Sequence, residues 1–324
     1  MHRNLNILML GGAKRVAMAE QLIRAGKRLG CNVKIFSHEL SEQEPIASVG
    51  TIITGKRYSD PTVDVELDEI IARHDIHVVL PFVDPAIEPA ARCKQRHAGV
   101  FVPVSSPEVS RAMFDKVLAA QLFEQNGIAI PVTYTAESIE YPAILKPRTG
   151  SASRGIVVAH NAADVQAAPL PLDQYLIQQY IANREEITVD CYVGTFDHEA
   201  KCTVPRIRLA TAGGEAIRTI TQRNSQLEAT AKQVLKSLHL EGAVTLQFLH
   251  DLDTDRYLLM EINPRLGGGV ICSICAGADI ASMIIEEAQD INAMPRHEWR
   301  DKTLMTRYFK EVIFFNDTTY DEQQ

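Results

Sequence analysis

The stretch Tyr-Pro-Ala-Ile-Leu-Lys-Pro-Arg-Thr-Gly-Ser-Ala-Ser-Arg-Gly, residues 141–155, decides how the fold of this chain is interpreted. An apolar run that is typical of a buried strand leads to Lys146, Pro147 ends the run, and a loop of small residues follows. Backbone N–H groups of such a loop can approach phosphate oxygens closely, and a lysine adds a positive charge. The stretch lacks the G-x-x-x-x-G-K-[ST] pattern of the Walker loop. Taken alone, it leaves a phosphate site and a solvent-exposed hairpin as open alternatives.

Two predicted strands further along the chain carry a second set of polar side chains. Glu261 and Asn263 are two residues apart on the later strand, so their side chains share a face, and Arg265 follows closely. Gln247 on the preceding strand can lie across from them. Oxygen ligands of this kind suit a hard cation such as Mg²⁺, which shares phosphate oxygens. A lone glutamate on a polar edge strand is the alternative, but the apolar run around Glu261 disfavours it because a buried carboxylate needs a partner.

Two apparent metal motifs have simpler explanations. The segment 251–255 has the D-x-D-x-D opening of a calcium loop, but Arg256 stands where that loop requires glycine, so we predict a hairpin turn. Cys272 and Cys275 have C-x-x-C spacing without the second pair that a structural zinc site needs. We predict that they are small buried thiols on the apolar face of a helix over residues 273–288.

The order of apolar runs predicts an α/β part followed by an α+β part. Up to about residue 105, short apolar runs, the last over residues 100–104, alternate with helices, which is typical of parallel βαβ units in a Rossmann-like domain. One amphipathic helix is then predicted over residues 109–126, ending before Gly127. Later strands follow one another directly, which favours hairpins and antiparallel sheets.

Composition excludes several classes of protein. The chain has 324 residues, of which 46% are hydrophobic and 23% are charged, and its formal net charge is −8. A chain of this size and composition buries about three quarters of its unfolded surface, which excludes disorder as a description of the whole. Its acidity argues against non-specific binding of nucleic acid. Without a run of ~20 apolar residues or the pattern of a signal peptide, we expect a cytoplasmic protein of two domains with reduced cysteines.

Together the motifs and their order resemble the ATP-grasp superfamily, specifically the ATP-grasp unit of the carbamoyl-phosphate synthase large subunit. The resemblance covers nearly the whole chain. It implies a Rossmann-like (pre-ATP-grasp) N-terminal domain over residues 1–110 and an ATP-grasp fold over residues 111–315. A small mobile lid subdomain would cover about residues 135–182, and residues 316–324 would form a polar tail. The resemblance also implies ATP and Mg²⁺, or Mn²⁺ in its place, as cofactors.

The same resemblance implies roles for individual residues. The catalytic residues would be Lys146 and Arg265, the arginine that stabilises the transferred phosphoryl group. The metal ligands would be Gln247, Glu261 and Asn263. ATP would be bound by two lysines, the lid loop, a hinge whose backbone reads adenine and a ribose-binding carboxylate, which are Lys116, Lys146, Ser151, Ser153, Gly155, Gln178, Gln179, Ile181 and Glu185. Gln178 stands where the family frequently has an acidic residue.

The implied activity is that of an ATP-dependent ligase. A substrate carboxylate, bicarbonate or carbamate would attack the γ-phosphate, and an amine or ammonia would capture the acyl phosphate; the protein would supply positioning and charge neutralisation. The expected partners are small carboxylate and amine substrates, and a second copy or a partner subunit, but neither nucleic acid nor a membrane. Three arginines in adjacent predicted strands allow two interpretations, which are Arg206, Arg208 and Arg218. In one interpretation they face the phosphates or an anionic substrate, and in the other they form a solvated cationic face.

Other functions remain open at this point. One alternative is a split component of a synthase similar to carbamoyl-phosphate synthase, and another is an ATP-binding subunit or sensor without chemistry. A nicotinamide oxidoreductase on the first domain, with Glu39 as the ribose ligand, is disfavoured because the Gly11-Gly12 turn does not complete a G-x-G-x-x-G fingerprint.

Overall fold

The N-terminal part of the chain is built on a parallel sheet. The structure, a computed structural model, describes residues 4–150 and 154–315, so the predicted polar tail lies outside the described residues. The sheet has four strands in the order β3-β2-β1-β4, each pair of neighbours being parallel. Its elements are β1 (Asn4–Leu10), α1 (Val16–Arg28), β2 (Asn32–Glu39), β3 (Thr51–Thr54), α2 (Val63–Arg73), β4 (Val78–Pro81) and α3 (Ile87–Arg96).

Both faces of this sheet are covered, which explains why β1 is apolar almost throughout. Ile7 and Met9 pack into a core that contains α1, whereas Leu8 and Leu10 pack into a second core that contains α2 and α3. Successive side chains of a strand point to opposite faces, so a strand between two helical layers needs apolar residues at every position.

The remainder of the chain forms two antiparallel sheets. The smaller sheet has the strand order β5-β8-β6-β7 and the larger one β13-β12-β9-β10-β11-β14. Two helices precede them, α4 (Pro107–Phe114) and α5 (Lys116–Gln125). The other elements are β5 (Thr133–Tyr134), β6 (Ala143–Pro147), β7 (Val157–Ala159), α6 (Ala162–Gln166), β8 (Tyr175–Gln179), β9 (Arg184–Val193), β10 (Ala200–Ala212), β11 (Glu215–Thr221), α7 (Ser225–Ser237), β12 (Gly242–Asp251), β13 (Arg256–Asn263), α8 (Val270–Ser273), α9 (Ile280–Glu287) and β14 (Leu304–Thr306).

The large sheet joins the parts of the molecule. Val189 on β9 faces a core with α5 and α7, and Tyr192 on the opposite face belongs to a core that includes α9 and α1. One apolar cluster therefore runs from the first sheet to the large sheet. None of the helices in the described residues is long and apolar enough to cross a membrane.

Two helices predicted as continuous are broken. The helix predicted over residues 109–126 is divided into α4 and α5, which are separated at Asp115. The backbone of Asp115 is extended, and its side chain caps α5 by accepting hydrogen bonds from the backbone N–H groups of Val117 and Leu118. The helix predicted over residues 273–288 is interrupted by a π-helical turn in which Gly277 has φ of 115°. Apolar periodicity continues across both breaks, which is why periodicity alone does not reveal them.

Other sequence-based expectations need smaller corrections. Residues 100–104 were predicted to form a strand, but within the described residues they contribute only isolated bridges at Phe101 and Val104. The strand β3 and the helix α2 were not predicted. Cys272 is buried as expected, whereas Cys275 is exposed. The segment 251–255 forms the turn between β12 and β13, as predicted.

Candidate functional site

A cavity of about 540 Å³ lies where the three sheets meet. The first part of the chain lines it with Arg15 and Asp84, the small sheet with Lys146, and the large sheet with Glu261 and Arg208. The predicted residues that line it are Lys116, Lys146, Gln179, Ile181, Gln247, Glu261, Asn263 and Arg265. Residues more than 140 positions apart in sequence are thus brought to one site.

Lys146 is the penultimate residue of β6 and is a buried lysine. The residue is only 6% exposed, and its ammonium donates a hydrogen bond to Gln178 Oε1 at 3.0 Å. Gln178 Nε2 donates in turn to the carbonyl of Pro131 at 3.3 Å. Burial lowers the pKa of Lys146 to about 8, although the charge of Glu261 acts in the opposite direction. Gln178 therefore lies behind Lys146 and does not line the large cavity.

Lys116 is the first residue of α5 and contacts the loop that follows β6. Its ammonium donates to the carbonyl of Gly150 at 2.8 Å, and its backbone N–H donates to the carbonyl of Arg148 at 2.9 Å. Arg148 also donates to both oxygens of Asp115, with Nη2 at 2.6 Å from Oδ2. The break between α4 and α5 thus places Lys116 at the cavity and fixes it to the small sheet.

Gln247, Glu261 and Asn263 lie together on the hairpin of β12 and β13. Gln247 is directly opposite Glu261 in the register, and Asn263 Nδ2 donates to Glu261 Oε1 at 2.9 Å. Within the described residues, no three His, Cys, Asp or Glu side chains are grouped so as to hold a metal. The set therefore offers one carboxylate and two amide oxygens, which fits Mg²⁺ because that ion binds few protein carboxylates and completes its shell with waters and phosphates.

Arg265 follows this hairpin and connects it to the first sheet. Its Nε donates to Asp84 Oδ1 at 2.6 Å, and its Nη2 donates to Asn263 Oδ1 at 3.3 Å. Asp84 begins a short 3-10 turn after β4. The arginine is therefore held from both sides, with its guanidinium at the wall of the cavity beside the carboxylate–amide set.

The predicted hinge and lid residues have different positions. Gln179 and Ile181 line the cavity, as does Tyr180 between them. Gly155 has φ of 72°, which favours glycine, but it does not line the cavity, unlike its neighbour Arg154. Ser151 and Ser153, the other predicted lid residues, lie outside the described residues.

Glu185, predicted to bind the ribose, does not line the cavity. Its side chain lies on the outer face of β9, near His250, whereas Glu186 lines the cavity and accepts a hydrogen bond from Arg208 at 3.1 Å. Thr188 is the register partner of Gln247, and residues two apart on a strand share a face, so Glu186 lies on the face of Gln247. That alternation along the strand is the signal that would have indicated Glu186 as the residue that faces the cavity.

The three arginines of the large sheet that the sequence singled out differ in whether they line the cavity. Arg208 lines the cavity, but Arg206 is buried against Asp190, with Nε 2.6 Å from Oδ2, and Arg218 is exposed outside the cavity. Sequence reasoning also missed Arg15 and Asp84, which line the cavity from the first part of the chain.

The Gly11-Gly12 turn is already occupied by a carboxylate of the chain. Glu39 is buried and accepts a hydrogen bond from Ser37 Oγ at 2.6 Å. Its burial raises its pKa, an effect that the hydrogen bond from Ser37 and the nearby backbone of Ala13 and Gly12 oppose. Because a buried carboxylate beside the turn repels a phosphate, the turn is poorly suited to a dinucleotide phosphate and the buried Glu39 to a ribose.

The fold is that of ATP-grasp proteins, and the chain is similar to members of the ATP-grasp superfamily. The family model that matches is described as "ATP-grasp in the biosynthetic pathway with Ter operon" and covers residues 172–311. The carbamoyl phosphate synthase large chain of Acidobacterium capsulatum is 27% identical over 209 residues, which are 54% of this chain and 18% of that protein. Plant acetyl-CoA carboxylases also match, over 6–7% of their length.

Solved structures show the same fold. Biotin carboxylase from Campylobacter jejuni, as a β,γ-ATP complex, has a TM-score of 0.72 and 20% identity, covering 92% of this chain and 73% of that one. N5-carboxyaminoimidazole synthetase from Staphylococcus aureus complexed with ADP has a TM-score of 0.73 and 17% identity, covering 92% and 80%. Both likenesses establish the ATP-grasp fold, with mixed α and β content.

Proposed function

We propose that the protein is an ATP-dependent ligase that activates a carboxylate, bicarbonate or carbamate as an acyl phosphate, which an amine or ammonia then captures. The observation that carries the proposal is that two lysines, an arginine and a carboxylate–amide set line one cavity, as Lys116, Lys146, Arg265, Gln247, Glu261 and Asn263. Phosphoryl transfer needs such positioning and charge neutralisation and little covalent chemistry from the protein.

In this proposal each group has a distinct task. Gln247, Glu261 and Asn263 would hold Mg²⁺ or Mn²⁺, which supplies charge neutralisation at the phosphate oxygens. Lys116 and Lys146 bind phosphate oxygens, and Lys116 exchanges its contact with the Gly150 carbonyl for one of them. Arg265, oriented by Asp84, stabilises the charge of the transferred phosphoryl group.

The nucleoside is assigned to the other end of the cavity. The backbone of Gln179 to Ile181 reads adenine, and Glu186, in place of Glu185, is the ribose-binding carboxylate. Gln178 supports Lys146 from behind without touching ATP, and Ser151, Ser153 and Gly155 belong to the loop that covers the phosphates. The support for this is that Gln179, Ile181 and Glu186 line the cavity that also holds Lys146.

The division of the chain is part of the same proposal. Residues 1–110 form a Rossmann-like pre-ATP-grasp domain, residues 111–315 form the ATP-grasp domain, and residues of about 135–182 form a lid that moves. The parallel sheet of β1 to β4 and the separate small sheet of β5 to β8 support this division. We further propose that the protein acts in the cytoplasm, as a homodimer or with a partner subunit.

The proposal is tested by the release of ADP. Purified protein is incubated with Mg-ATP and pairs of carboxylates and amines, and ADP is measured. Lys146→Met and Glu261→Gln are expected to lower turnover by about 100-fold or more, because each removes a group that acts on the transferred phosphoryl or on the metal. Lys34→Met and Glu42→Gln change exposed residues of the same types and should leave turnover intact.

Each other outcome favours a different function. ATP binding without ADP release from any pair would indicate a binding subunit or sensor, and unchanged turnover in both site variants would refute the assigned site. Protection against thermal unfolding by NAD but not by Mg-ATP would indicate the oxidoreductase.

A further inference from the structure

Two arginines share one carboxylate at the end of the cavity nearest the first sheet. Arg15 donates to both oxygens of Glu215, with Nη2 at 2.7 Å from Oε1 and Nη1 at 3.2 Å from Oε2. Arg307 Nη1 donates to the same Oε2 at 2.6 Å. The pair of arginines brings two positive charges to a single negative charge, so the cluster of Arg15, Glu215 and Arg307 keeps one uncompensated positive charge.

Two of the three members of the cluster lie in the wall of the cavity. Arg15 and Glu215 line it, and the Arg15 side chain is only 17% exposed. Arg307 also donates to the carbonyl of Gly268. A Cβ atom at Gly268 would lie 3.0 Å from Glu215 Oε2 and 3.1 Å from Arg15 Nη1, so glycine there allows the backbone to approach the cluster.

The cluster is close to the proposed reaction centre but separate from it. Gly268 is three residues after Arg265, so their Cα atoms are at most about 10 Å apart. Arg265 is matched by one carboxylate, Asp84, and Arg208 by one carboxylate, Glu186. The excess positive charge at this end of the cavity therefore lies at the cluster and not at the arginine assigned to phosphoryl transfer.

Arg307, the second arginine, is an exposed residue that adds a positive charge beside the half-buried carboxylate of Glu215, and an anion that approaches the cluster compensates this charge. Glu215 stays ionised at neutral pH, because the hydrogen bonds and charges of Arg15 and Arg307 outweigh its burial and lower its pKa to about 2. The cluster thus keeps its positive charge at neutral pH.

We propose that the cluster of Arg15, Glu215 and Arg307 binds a second anionic group of the activated substrate, distinct from the carboxylate that reacts beside Arg265. This inference rests on the proposed function and specifies its substrate as a small molecule with two anionic groups. The second group is a carboxylate or a phosphate, since a guanidinium binds either through two parallel hydrogen bonds.

The test measures binding of matched probes to the Mg-ATP-bound protein by calorimetry. Succinate is compared with butyrate, which has the same carbon chain and one carboxylate fewer, and 3-phosphoglycerate is compared with glycerate. In the wild type we expect the doubly anionic member of one pair to bind at least about tenfold more tightly. The pair that shows the preference identifies the second group as a carboxylate or a phosphate.

Variants then connect the preference with the cluster. Arg15→Met and Arg307→Met should abolish it while Mg-ATP binding is retained, and Arg15→Lys, which keeps the charge, should retain part of it. Lys14→Met, an exposed neighbour, is the matched control and should leave the preference unchanged.

The remaining outcomes separate the two proposals. Absence of any preference in a wild-type protein that binds Mg-ATP would overturn this inference alone. A preference that survives in Arg15→Met and Arg307→Met would also overturn it, since the second anionic group would then bind elsewhere. Failure to bind Mg-ATP would refute the proposed function and the inference with it.

Discussion

The Lys146 ammonium donates a hydrogen bond to the uncharged side-chain oxygen of Gln178 at 3.0 Å, with both residues buried. An amide oxygen satisfies one of the three donors of the ammonium but supplies no negative charge. Desolvation therefore dominates and lowers the pKa of Lys146 to about 8. The residue assigned to the phosphates is consequently held in a state that favours the arrival of an anion.

The affinity for Mg-ATP is expected to decline above a pH of about 8, where Lys146 loses its proton in the ATP-free protein. Gln178→Glu should move this decline to higher pH, because a carboxylate at the same distance stabilises the ammonium. Calorimetric dissociation constants at pH 7, 8 and 9 measure the effect, with the exposed substitution Gln121→Glu as the control. An identical decline in Gln178→Glu and the wild type would contradict the assignment of the titration to Lys146.

Lys146→Met is expected to stabilise the fold while it abolishes turnover. The folded-state pKa of about 8 lies below the ordinary value of 10.5, so below pH 8 the folded state holds a proton that costs it stability. Replacement by an apolar side chain should raise the free energy of unfolding at pH 7 by about 1–3 kcal/mol. Urea unfolding measures this change.

The pH dependence of that difference gives a second readout. The unfolded wild type binds more protons than the folded one between pH 8 and 10.5, so the wild type should gain stability relative to Lys146→Met as the pH rises through this range. Lys34→Met, on the exposed side of β2, should show neither effect. A Lys146→Met protein that is less stable than the wild type at every pH would refute the prediction.

Arg148→Met is expected to weaken Mg-ATP binding by about three- to tenfold. Arg148 joins the start of α5 to the end of β6 through Asp115, so its loss releases the lysine that follows Asp115 from its fixed position. A half-exposed bidentate pair contributes about 1 kcal/mol, which corresponds to this range. Nucleotide affinity is the measurement, and Arg57→Met, an exposed arginine, is the control. An unchanged affinity would show that Lys116 is positioned without the pair.

The sequence predicts contacts well where the partners are close in the chain. Gln247 and Glu261 belong to one hairpin, whose turn over residues 251–255 fixes the register and brings the two side chains together. The alternation of side chains along a β-strand was sufficient to predict that Glu261 and Asn263 share a face. The carboxylate–amide set was therefore predictable as a group.

Contacts between distant segments were not predictable in the same way. The register of β9 against β12 depends on pairing across about 60 residues, and a shift of one residue exchanges Glu185 for Glu186 at the cavity. Arg15 meets Glu215 across 200 positions and Asp84 meets Arg265 across 181, so no local pattern marks either pair. These contacts follow from the packing of the first sheet against the large one.

Asp190→Ala is expected to lower the free energy of unfolding by about 3–5 kcal/mol, because it leaves the guanidinium of Arg206 buried without a counter-charge. Arg206 is 2% exposed and donates to both oxygens of Asp190, at 2.6 and 3.1 Å, while Ser273 Oγ donates to the same carboxylate at 2.6 Å. Arg206 also lies under Gly269, where a Cβ atom would be 2.5 Å from its Nη1.

The double substitution Asp190→Ala with Arg206→Met removes the stranded charge and should recover more than half of that loss, since most of the cost lies in the unpaired ion and not in the missing attraction. Urea unfolding of the two single variants and the double variant gives the coupling energy. Glu20→Ala, which breaks an exposed pair with Arg24 on α1, should change stability by less than about 1 kcal/mol and serves as the control. Strictly additive losses would mean that Arg206 finds another partner or water when Asp190 is absent.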